Sequence, residues 1–527
     1  MKSLNVATFK EMLKSGNANL DNHKNEVDSL NVFPVPDGDT GTNMLMTFTN
    51  GYKEAMACPS NDICDVAKAL SKGLLMGARG NSGVILSQIF RGFASNIEGK
   101  SSLNSKEVSE AFINGSKVAY KAIMKPVEGT ILTVIREAVW YADHDFIDKP
   151  NMSIEDYFDK LTFYIKRSED TTPDLLPILA EANVVDSGGM GLYLIIEGFN
   201  AYLKGKPYIK KDNVSVELNA SKEEYKGYNV KLDLVLSKDY IKNFDIDLLN
   251  KRLSAIADSF DTDGKSDTIS INANTTKPGE VLNIAQRYGY LNNVEISNSY
   301  KTIVKKVDKD YGIIAVGCGE GVVETLNELG ADIVVSGGQT MNPSTKDFVD
   351  KIEILKNCKN IIIFPNNSNI ILAAEQARDL SSNNVYVVPT KSIQECISCL
   401  SVFNVKKDLD ANKKYFKRVT DEIITISLTY SVKDTSIEGR EVKKGDYLAM
   451  CAKSILANDS DLDVVTDSIS KFICETKKRG LLTIIVGEDG DEATTNKIVD
   501  YIETNSKLEV SIIEGEQPVY SYLFGLE

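Results

Sequence analysis

The chain has 527 residues, of which 42% are hydrophobic and 26% charged, and a formal net charge of −15 at pH 7. This length exceeds one hydrophobic core, so we expect about three domains. The acidic balance disfavours non-specific binding to nucleic acid or to an anionic membrane, and no segment approaches the roughly 18 apolar residues that span a bilayer.

The eight cysteines are scattered along the chain without a disulfide-like framework, and no apolar signal segment opens the sequence. Both features predict a cytoplasmic protein with reduced thiols. Cys396 and Cys399 form a lone C-x-x-C string within a segment of helical apolar spacing. This setting favours buried core thiols over a redox or zinc site.

The spacing of apolar residues predicts three domains. Residues 1–203 show helical spacing throughout, which predicts an all-α domain. Residues 204–309 begin with a lysine-rich stretch and continue with strand-like alternation and short helices, which predicts a small α/β middle domain. In residues 310–527 strands alternate with helices, which predicts a C-terminal α/β domain with a largely parallel sheet.

Residues 31–43 read Asn-Val-Phe-Pro-Val-Pro-Asp-Gly-Asp-Thr-Gly-Thr-Asn and hold two carboxylates one glycine apart. Asp37 and Asp39 are hard oxygen ligands suited to a magnesium ion. The next four residues open a predicted helix, where hydroxyls and free backbone N–H groups favour phosphate: Thr40, Gly41, Thr42 and Asn43. An isolated Asp-Gly-Asp string is also typical of ordinary turns, so this loop alone leaves both interpretations open.

Three further polar or glycine-rich loops each open an apolar helix, at residues 77–83, 126–132 and 186–191. In the first of them we expect Ser82 to be the helix N-cap and Arg79 to add positive charge for phosphate. A helix–helix turn is the alternative for any single loop of this kind. Four such loops at one end of a helical bundle would form a nucleotide pocket.

At these loops the chain resembles the nucleotide-binding L domain (DhaL) of dihydroxyacetone kinases, an antiparallel barrel of helices. More closely, it resembles the ATP-binding subunit of bacterial fatty acid kinase in strings that run through the chain: residues 31–43, 77–83, 125–132, 184–191, 335–345, 364–367 and 517–522. This resemblance implies ATP-dependent phosphorylation of a fatty acid carboxylate to an acyl phosphate. The fatty acid would be presented by a separate acyl-binding (DegV-like) carrier protein.

The same resemblance implies roles for single residues. Asp37 and Asp39 hold magnesium and, with Thr40, form the catalytic loop; Asn31 lies where dihydroxyacetone kinases supply a third ligand as an aspartate. The residues expected to contact ATP are Thr40, Gly41, Thr42, Asn43, Ser82, Gly83, Gly129, Thr130, Asp186 and Gly188. No protein base is required, because a carboxylate acceptor with a pKa of roughly 4 to 5 is already ionised at neutral pH.

Relatives of this kind often carry a cysteine and a His-Val-His pair in the middle domain, a set suited to zinc. Here Asn229, Asn272 and Asn274 stand at those positions. Neutral amides are poor zinc ligands, so we expect ATP and Mg²⁺ as cofactors and no zinc.

The C-terminal domain has a glycine-rich loop at residues 317–321, and polar loops at residues 336–345 and 366–367 follow two later predicted strands. Because the carboxyl ends of parallel strands share one edge of a sheet, we expect these loops to lie together. The resemblance implies that the acyl-carrying protein docks there, and it also implies a homodimer. A set of purely structural tight turns is the alternative.

Two other functions stay open at this point. One is a kinase of another small substrate, such as a dihydroxyacetone-like ketose, although no sugar-holding domain is evident and the chain has only His23 and His144 as histidines. The other is a non-catalytic nucleotide sensor or scaffold. The presence of Asp37, Asp39 and Thr40 argues against the sensor.

Overall fold

The computed structural model describes residues 1–32, 38–123, 125–210, 227–237, 244, 246–253, 256–257, 259–265, 268–298, 309–338, 342–431, 434–437, 440–451, 454–476 and 480–527. Met1–Lys211 and Val307–Glu527 together form one compact unit, and Asp212–Lys306 form a second. The first unit therefore joins the helical N-terminal part to the C-terminal part.

The N-terminal part is helical: α1 (Val6–Ser29), α2 (Thr40–Ala57), α3 (Ile63–Gly77), α4 (Gly80–Asn96), α5 (Ser105–Ala122), α6 (Ile131–Asp148), α7 (Ile154–Asp170), α8 (Thr172–Leu175), α9 (Pro177–Glu181) and α10 (Ser187–Leu203). Helices α1 to α7 each pack against the next, α7 packs against α10, and α10 returns to α1. We call these eight helices the helical ring. Its interior is apolar and rich in buried phenylalanines. Within the described ranges, no helix combines the length and the apolarity needed to cross a bilayer.

Glycines set the closest approaches between neighbouring helices of the ring. A methyl group at Gly198 of α10 would lie 2.5 Å from the Cα atom of Gly16 in α1. Between α4 and α5, a methyl group at Gly92 would lie 2.7 Å from the Cα atom of Gly115. Both distances are far below van der Waals contact, so these helices meet backbone to backbone, and only glycine permits that spacing.

The second unit is a small α/β domain. Its elements are β1 (Tyr228–Leu236), α11 (Ile246–Leu253), β2 (Ser259–Lys265), β3 (Thr268–Thr275), α12 (Pro278–Gln286) and β4 (Gly289–Asn298). The four strands form an antiparallel sheet in the order β2-β3-β1-β4. Alternate residues of β1 are buried against apolar side chains of the two helices, as the alternating pattern predicted.

The C-terminal part of the first unit contains β5 (Tyr311–Gly317), α13 (Glu320–Glu328), β6 (Ile333–Ser336), α14 (Thr345–Ile354), β7 (Asn360–Phe364), α15 (Ile371–Leu380), β8 (Val385–Val387), α16 (Ile393–Val402), α17 (Leu409–Glu422), β9 (Ile424–Tyr430), β10 (Thr435–Ile437), β11 (Arg440–Val442), β12 (Tyr447–Cys451), β13 (Ser454–Asp459), α18 (Leu462–Glu475), β14 (Leu481–Val486), α19 (Glu492–Asn505), β15 (Glu509–Glu514) and β16 (Tyr522–Leu526). The first four of these strands form a parallel sheet in the order β6-β5-β7-β8.

The predicted fold class is confirmed: a helical N-terminal domain, a small middle domain and a C-terminal α/β domain with a parallel sheet. The C-terminal part also holds a second sheet that is mixed, in the order β13-β12-β9-β16-β14-β15. Of its described strand pairs, β14 and β15 run parallel and the others antiparallel. Strands β12 and β13 follow each other directly in the order of described elements, since antiparallel neighbours need no crossover helix.

Replacing Gly198 with alanine tests the backbone contact between α1 and α10. The added methyl group has no room beside Gly16, so we expect a loss of about 1–3 kcal/mol of stability and a melting temperature several degrees lower by circular dichroism. Gly279→Ala is the matched control, because position 279 is helical and faces open space. Equal melting temperatures for both variants would contradict the close-contact argument.

Candidate active site

The Asp-Gly-Asp loop lies directly before α2. Asp37 lies outside the described residues, and its role as a metal ligand stays a prediction. Gly38 has a φ of +64°, in the left-handed region that glycine adopts without strain. Asp39 is the residue before the helix, and its side chain does not cap the first turn of α2. Instead, its Oδ2 atom accepts a hydrogen bond from the side-chain amide of Asn342 in the C-terminal part.

Asp28, in the last turn of α1, holds the start of α2. Its Oδ1 accepts from the backbone N–H of Thr42 at 3.0 Å, and its Oδ2 accepts from the Thr42 hydroxyl at 2.8 Å. Gly41 makes this approach possible, because a methyl group there would lie 2.3 Å from the carbonyl oxygen of Lys24. Sequence reasoning missed Asp28. A carboxylate in the last turn of a helix is disfavoured by the helix dipole. Its presence there could have indicated that Asp28 has a partner outside α1.

Three other residues predicted for this loop are buried. Thr40 and Asn43 are buried in the first turn of α2, and Asn31 is buried just after α1. The backbone N–H of Asn31 donates to the carbonyl oxygen of Asp28 at 3.2 Å. The structure thus places Asn31 beside the turn that carries Asp28, and its role as a third metal ligand stays a prediction.

The starts of α2, α4, α6 and α10 come together at one end of the helical ring. A methyl group at Gly80 would lie 2.8 Å from the side chain of Asn43, and one at Gly83 would lie 2.5 Å from the hydroxyl of Thr47, which joins α4 to α2. A methyl group at Gly188 would lie 3.2 Å from the Ser82 hydroxyl and 3.3 Å from the side chain of Ile131, which joins α10 to α4 and α6. The four predicted loops therefore converge.

The expectation that Ser82 caps α4 is wrong. The helix begins at Gly80 with Arg79 as its N-cap residue, so Ser82 lies within the first turn. Gly80 has a φ of +61°, and the helix begins at this glycine, three residues earlier than an N-cap at Ser82 suggested. The hydroxyl of Ser82 still lies at the meeting point of α4 and α10.

The loop before α6 is shaped by Gly129 and Thr130. Gly129 has a φ of +78°, and a methyl group there would lie 2.9 Å from the carbonyl oxygen of Thr172. The Gly129 N–H donates to the Thr133 hydroxyl at 2.9 Å, and the Thr130 hydroxyl donates to the carbonyl oxygen of Val127 at 2.8 Å. These bonds hold the loop in place at the convergence of the helix starts.

Asp186 is a buried carboxylate between two helix starts. It precedes α10, and its Oδ2 accepts from the N–H of Gly189 at 2.8 Å. The N–H groups of Gly188 and Ile131, which lie in the first turns of α10 and α6, also donate to it. Burial raises the pKa of Asp186 to about 6, and the three N–H donors only partly offset that effect.

Glu169, in α7, lies behind Asp186. Its side chain is fully buried, and neither of its carboxyl oxygens has a hydrogen-bond partner among the described residues. Gly189 allows its close approach to α10, because a methyl group at that position would lie 2.0 Å from Oε2 of Glu169. Burial, reinforced by the nearby Asp186, raises the pKa of Glu169 well above its ordinary value. Sequence reasoning gave no sign of this residue.

Arg79, the N-cap residue of α4, contacts the C-terminal part. Its Nη1 donates to the backbone carbonyl oxygen of Asn342 at 2.6 Å, and its Nη2 lies 3.7 Å from Oδ2 of Asp347. Asp347 forms a capping box with Ser344 at the start of α14. The guanidinium therefore holds the C-terminal part against the loop before α4, and its role toward a phosphate stays a prediction.

The loops after β5, β6 and β7 lie together at the carboxyl edge of the parallel sheet, as predicted. The N–H of Gly337 donates to the carbonyl oxygen of Gly317 at 3.3 Å, and the Asn366 side chain donates to that of Val316 at 2.7 Å. We call this set of loops the carboxyl edge.

The carboxyl edge contacts the helical ring of the same chain. The Asn81 side chain donates to that of Asn369 at 2.9 Å, and the N–H of Thr345 donates to the carbonyl oxygen of Ala78 at 3.1 Å. Ala78 and Val84 share an apolar cluster with side chains of α14 and α15. The surface expected to receive a separate protein is thus occupied, around these residues, by the start of α4.

The remaining predicted features have clear positions. Cys396 and Cys399 are both buried in α16, as predicted, and burial raises the pKa of Cys396 to about 12. In the middle domain, the side-chain amide of Asn229 donates to that of Asn272 at 2.8 Å, and the side chain of Asn274 lies outside the described residues. In the part of the chain that the structure describes, no three His, Cys, Asp or Glu side chains form a cluster able to hold a metal.

Three protein-family models match the chain. The DAK2 domain model matches residues 34–201, the model of the FakA-like fatty acid kinase middle domain matches residues 226–302, and the model of the FakA-like fatty acid kinase C-terminal domain matches residues 312–527. The chain belongs to the FakA-like fatty acid kinase family. The family predicted from the sequence strings is confirmed.

Similar chains are known from Staphylococcus aureus. Uncharacterised proteins of strain bovine RF122 / ET3-1 and of strain USA300 are each 39% identical to this chain over 557 aligned positions. Both alignments cover 100% of this chain and 100% of the relative. These relatives of the FakA-like chain thus match it along its whole sequence.

Solved structures resemble parts of the chain. A Thermotoga maritima protein with a fatty acid binding function and a fatty-acid-binding DegV family protein of Thermus thermophilus are each 11% identical, with TM-scores of 0.33 and 0.32. Each alignment covers 41% of this chain, and 98% and 99% of those chains. The C. freundii dihydroxyacetone kinase in complex with AMP-PNP and Mg²⁺ is 18% identical with a TM-score of 0.29, covering 37% of this chain and 34% of the kinase.

Glu169→Gln tests the cost of the buried carboxyl. A carboxyl whose pKa is raised by folding binds its proton more tightly in the folded state, so its contribution to stability is present at low pH and lost as the pH rises through the folded pKa. Glutamine has no proton to lose. We expect the variant to melt about 2–4 °C above the natural chain at pH 8 and about equally at pH 5.

Glu110→Gln, at an exposed position of α5, is the control, and its melting difference should not change with pH. If the melting temperatures of Glu169→Gln and the natural chain differ by the same amount at pH 5 and pH 8, burial does not raise the pKa of Glu169.

Proposed function

We propose that the chain transfers the γ-phosphoryl group of ATP to the carboxylate of a fatty acid, which a separate acyl-binding protein presents, and releases an acyl phosphate. Membership of the FakA-like fatty acid kinase family carries this proposal. The convergence of four helix starts beside Asp39 supports it, because such an arrangement suits a polyphosphate.

The residues present fit magnesium. Asp39 offers a carboxylate that is not used to cap its own helix, and Asn342 beside it has a buried side-chain oxygen without a partner among the described residues. With Asp37 and Asn31, as the family resemblance implies, these hard oxygens would hold Mg²⁺. When bound, the ion neutralises charge on the β- and γ-phosphates.

The nucleotide is positioned by the first turns of α2, α4, α6 and α10. The N–H groups of these turns other than those bonded to Asp28 and Asp186, together with the hydroxyls of Thr40 and Ser82, would bind the phosphates. Glycines permit close approach: Gly41, Gly83, Gly129 and Gly188. Thr42 and Asn43 shape the start of α2, Thr130 shapes the start of α6, and Asp186 orients α6 and α10. Phosphoryl transfer then rests on positioning and charge compensation.

A carboxylate acceptor fits this site because it needs no general base. His23 and His144 lie within α1 and α6, where each ring pairs with a backbone carbonyl oxygen four residues earlier. Asp186, the carboxyl with a pKa of about 6, is committed to three backbone N–H groups. A hydroxyl acceptor would require a base that neither histidine nor Asp186 is placed to supply.

The test is turnover with a purified acyl-binding protein loaded with oleate, in the presence of ATP and Mg²⁺, with hydroxylamine to trap the acyl phosphate. Asp39→Ala should lower the yield of acyl hydroxamate at least about 100-fold, because a charge-compensating group at the phosphates is lost, while the far-UV circular dichroism spectrum stays that of the natural chain. The melting temperature should fall by a few degrees, because the buried side-chain amide of Asn342 loses its acceptor. Asp62→Ala is the matched control, since Asp62 also precedes a helix without capping it.

The other outcomes point to the alternatives. Phosphorylation of dihydroxyacetone but not of the fatty acid would indicate a ketose kinase, and nucleotide binding without any turnover would indicate a sensor. The homodimer and the cytoplasmic location stay predictions.

A further inference from the structure

Asn342 is the residue through which the C-terminal part reaches the loop before α2. Its side chain is only 2% exposed. The amide nitrogen donates to Oδ2 of Asp39, whereas the amide oxygen is shielded from solvent and has no partner among the described residues. An unpaired buried carbonyl costs roughly 1–3 kcal/mol, so a ligand that uses this oxygen would remove that cost.

The position of Asn342 is fixed from both sides. Its own backbone carbonyl oxygen accepts from Arg79, whose N–H in turn donates to the hydroxyl of Thr47 in α2 at 3.2 Å. Three residues later, Thr345 donates to the carbonyl oxygen of Ala78. Asn342 is therefore held against the starts of α2 and α4 by bonds that do not involve its side chain.

A second buried group of this kind lies on the same carboxyl edge. The side-chain oxygen of Asn367 accepts from the N–H of Asn369 at 2.8 Å, but its amide nitrogen has no partner within the described part of the chain. Asn369 in turn accepts from Asn81 in the first turn of α4. The edge thus has two buried side-chain atoms without partners among the described residues, an acceptor on Asn342 and a donor on Asn367.

We propose that Asn342 supplies an oxygen ligand to the magnesium ion, so that the metal site is shared between the helical ring and the C-terminal domain. A carboxylate and an amide carbonyl oxygen are ligands that magnesium accepts. The amide nitrogen of the same side chain orients Asp39, as groups behind a metal ligand commonly do. This inference rests on the proposed function only in requiring a metal–nucleotide site at Asp39.

The proposal changes what the C-terminal domain does. The sequence alone suggested a domain on which the acyl-carrying protein docks. With Asn342 in the metal site, residues 310–527 are part of the nucleotide-binding machinery itself. Because Asn342 bonds Asp39, metal binding and the position of the C-terminal domain are then coupled. A change in either one alters the other.

The experiment measures Mn²⁺ binding to the full chain in the presence of AMP-PNP, from the electron paramagnetic resonance signal of free Mn²⁺. Asn342→Leu keeps the side-chain volume without polar atoms, and it should weaken Mn²⁺ binding about 10-fold or more. Asn342→Asp keeps an oxygen ligand, and it should stay within about 3-fold of the natural chain. Metal-free AMP-PNP binding and the melting temperature report on folding.

Asn384→Leu is the matched control, because Asn384 is exposed and precedes β8 at the opposite edge of the parallel sheet. Natural Mn²⁺ affinity in Asn342→Leu would overturn the proposal. An equal loss in both Asn342 variants would also overturn it, because it would limit Asn342 to its hydrogen bond with Asp39. Neither result decides the proposed function. That function is tested separately, by fatty acid phosphorylation with the natural chain.

Discussion

Two carboxylates, Asp28 and Asp186, hold the starts of α2, α6 and α10, on which the candidate site depends. The first N–H groups of any helix lack partners within the helix, and an anion placed there is stabilised by the helix dipole. Asp28 of α1 takes the N–H of Thr42 in α2, and Asp186 takes N–H groups of both α6 and α10. Each carboxylate therefore ties one helix to the start of another.

Local patterns predicted the elements of the structure well, because periodicity and loop composition act over short distances. The four loops were found in this way, and so were the strands of the parallel sheet. Ser82 shows where local rules failed: a glycine in the left-handed region started α4 earlier than the serine suggested. The partners of Arg79 escaped local rules for another reason, since Asn342 and Asp347 lie in a distant part of the chain.

Long-range contacts made the rest unpredictable. Neither the composition nor the spacing around Asn342 indicates that its side chain meets Asp39, and nothing around Glu169 indicates a buried carboxyl behind α10. With a net charge of −15, a phosphate site in this chain needs a metal or local positive charge. The helix starts and the proposed metal are two sources of such charge.

The bond between Asp39 and Asn342 joins residues 303 positions apart. At a synthesis rate of roughly 5–20 residues per second, the ribosome needs ~15–60 s to make the chain between them. The helical ring, which ends at Leu203, can emerge and close well before that. On the proposed arrangement, a nascent chain would pass through a stage with a folded ring and an incomplete metal site, and only synthesis of the C-terminal domain would end that stage.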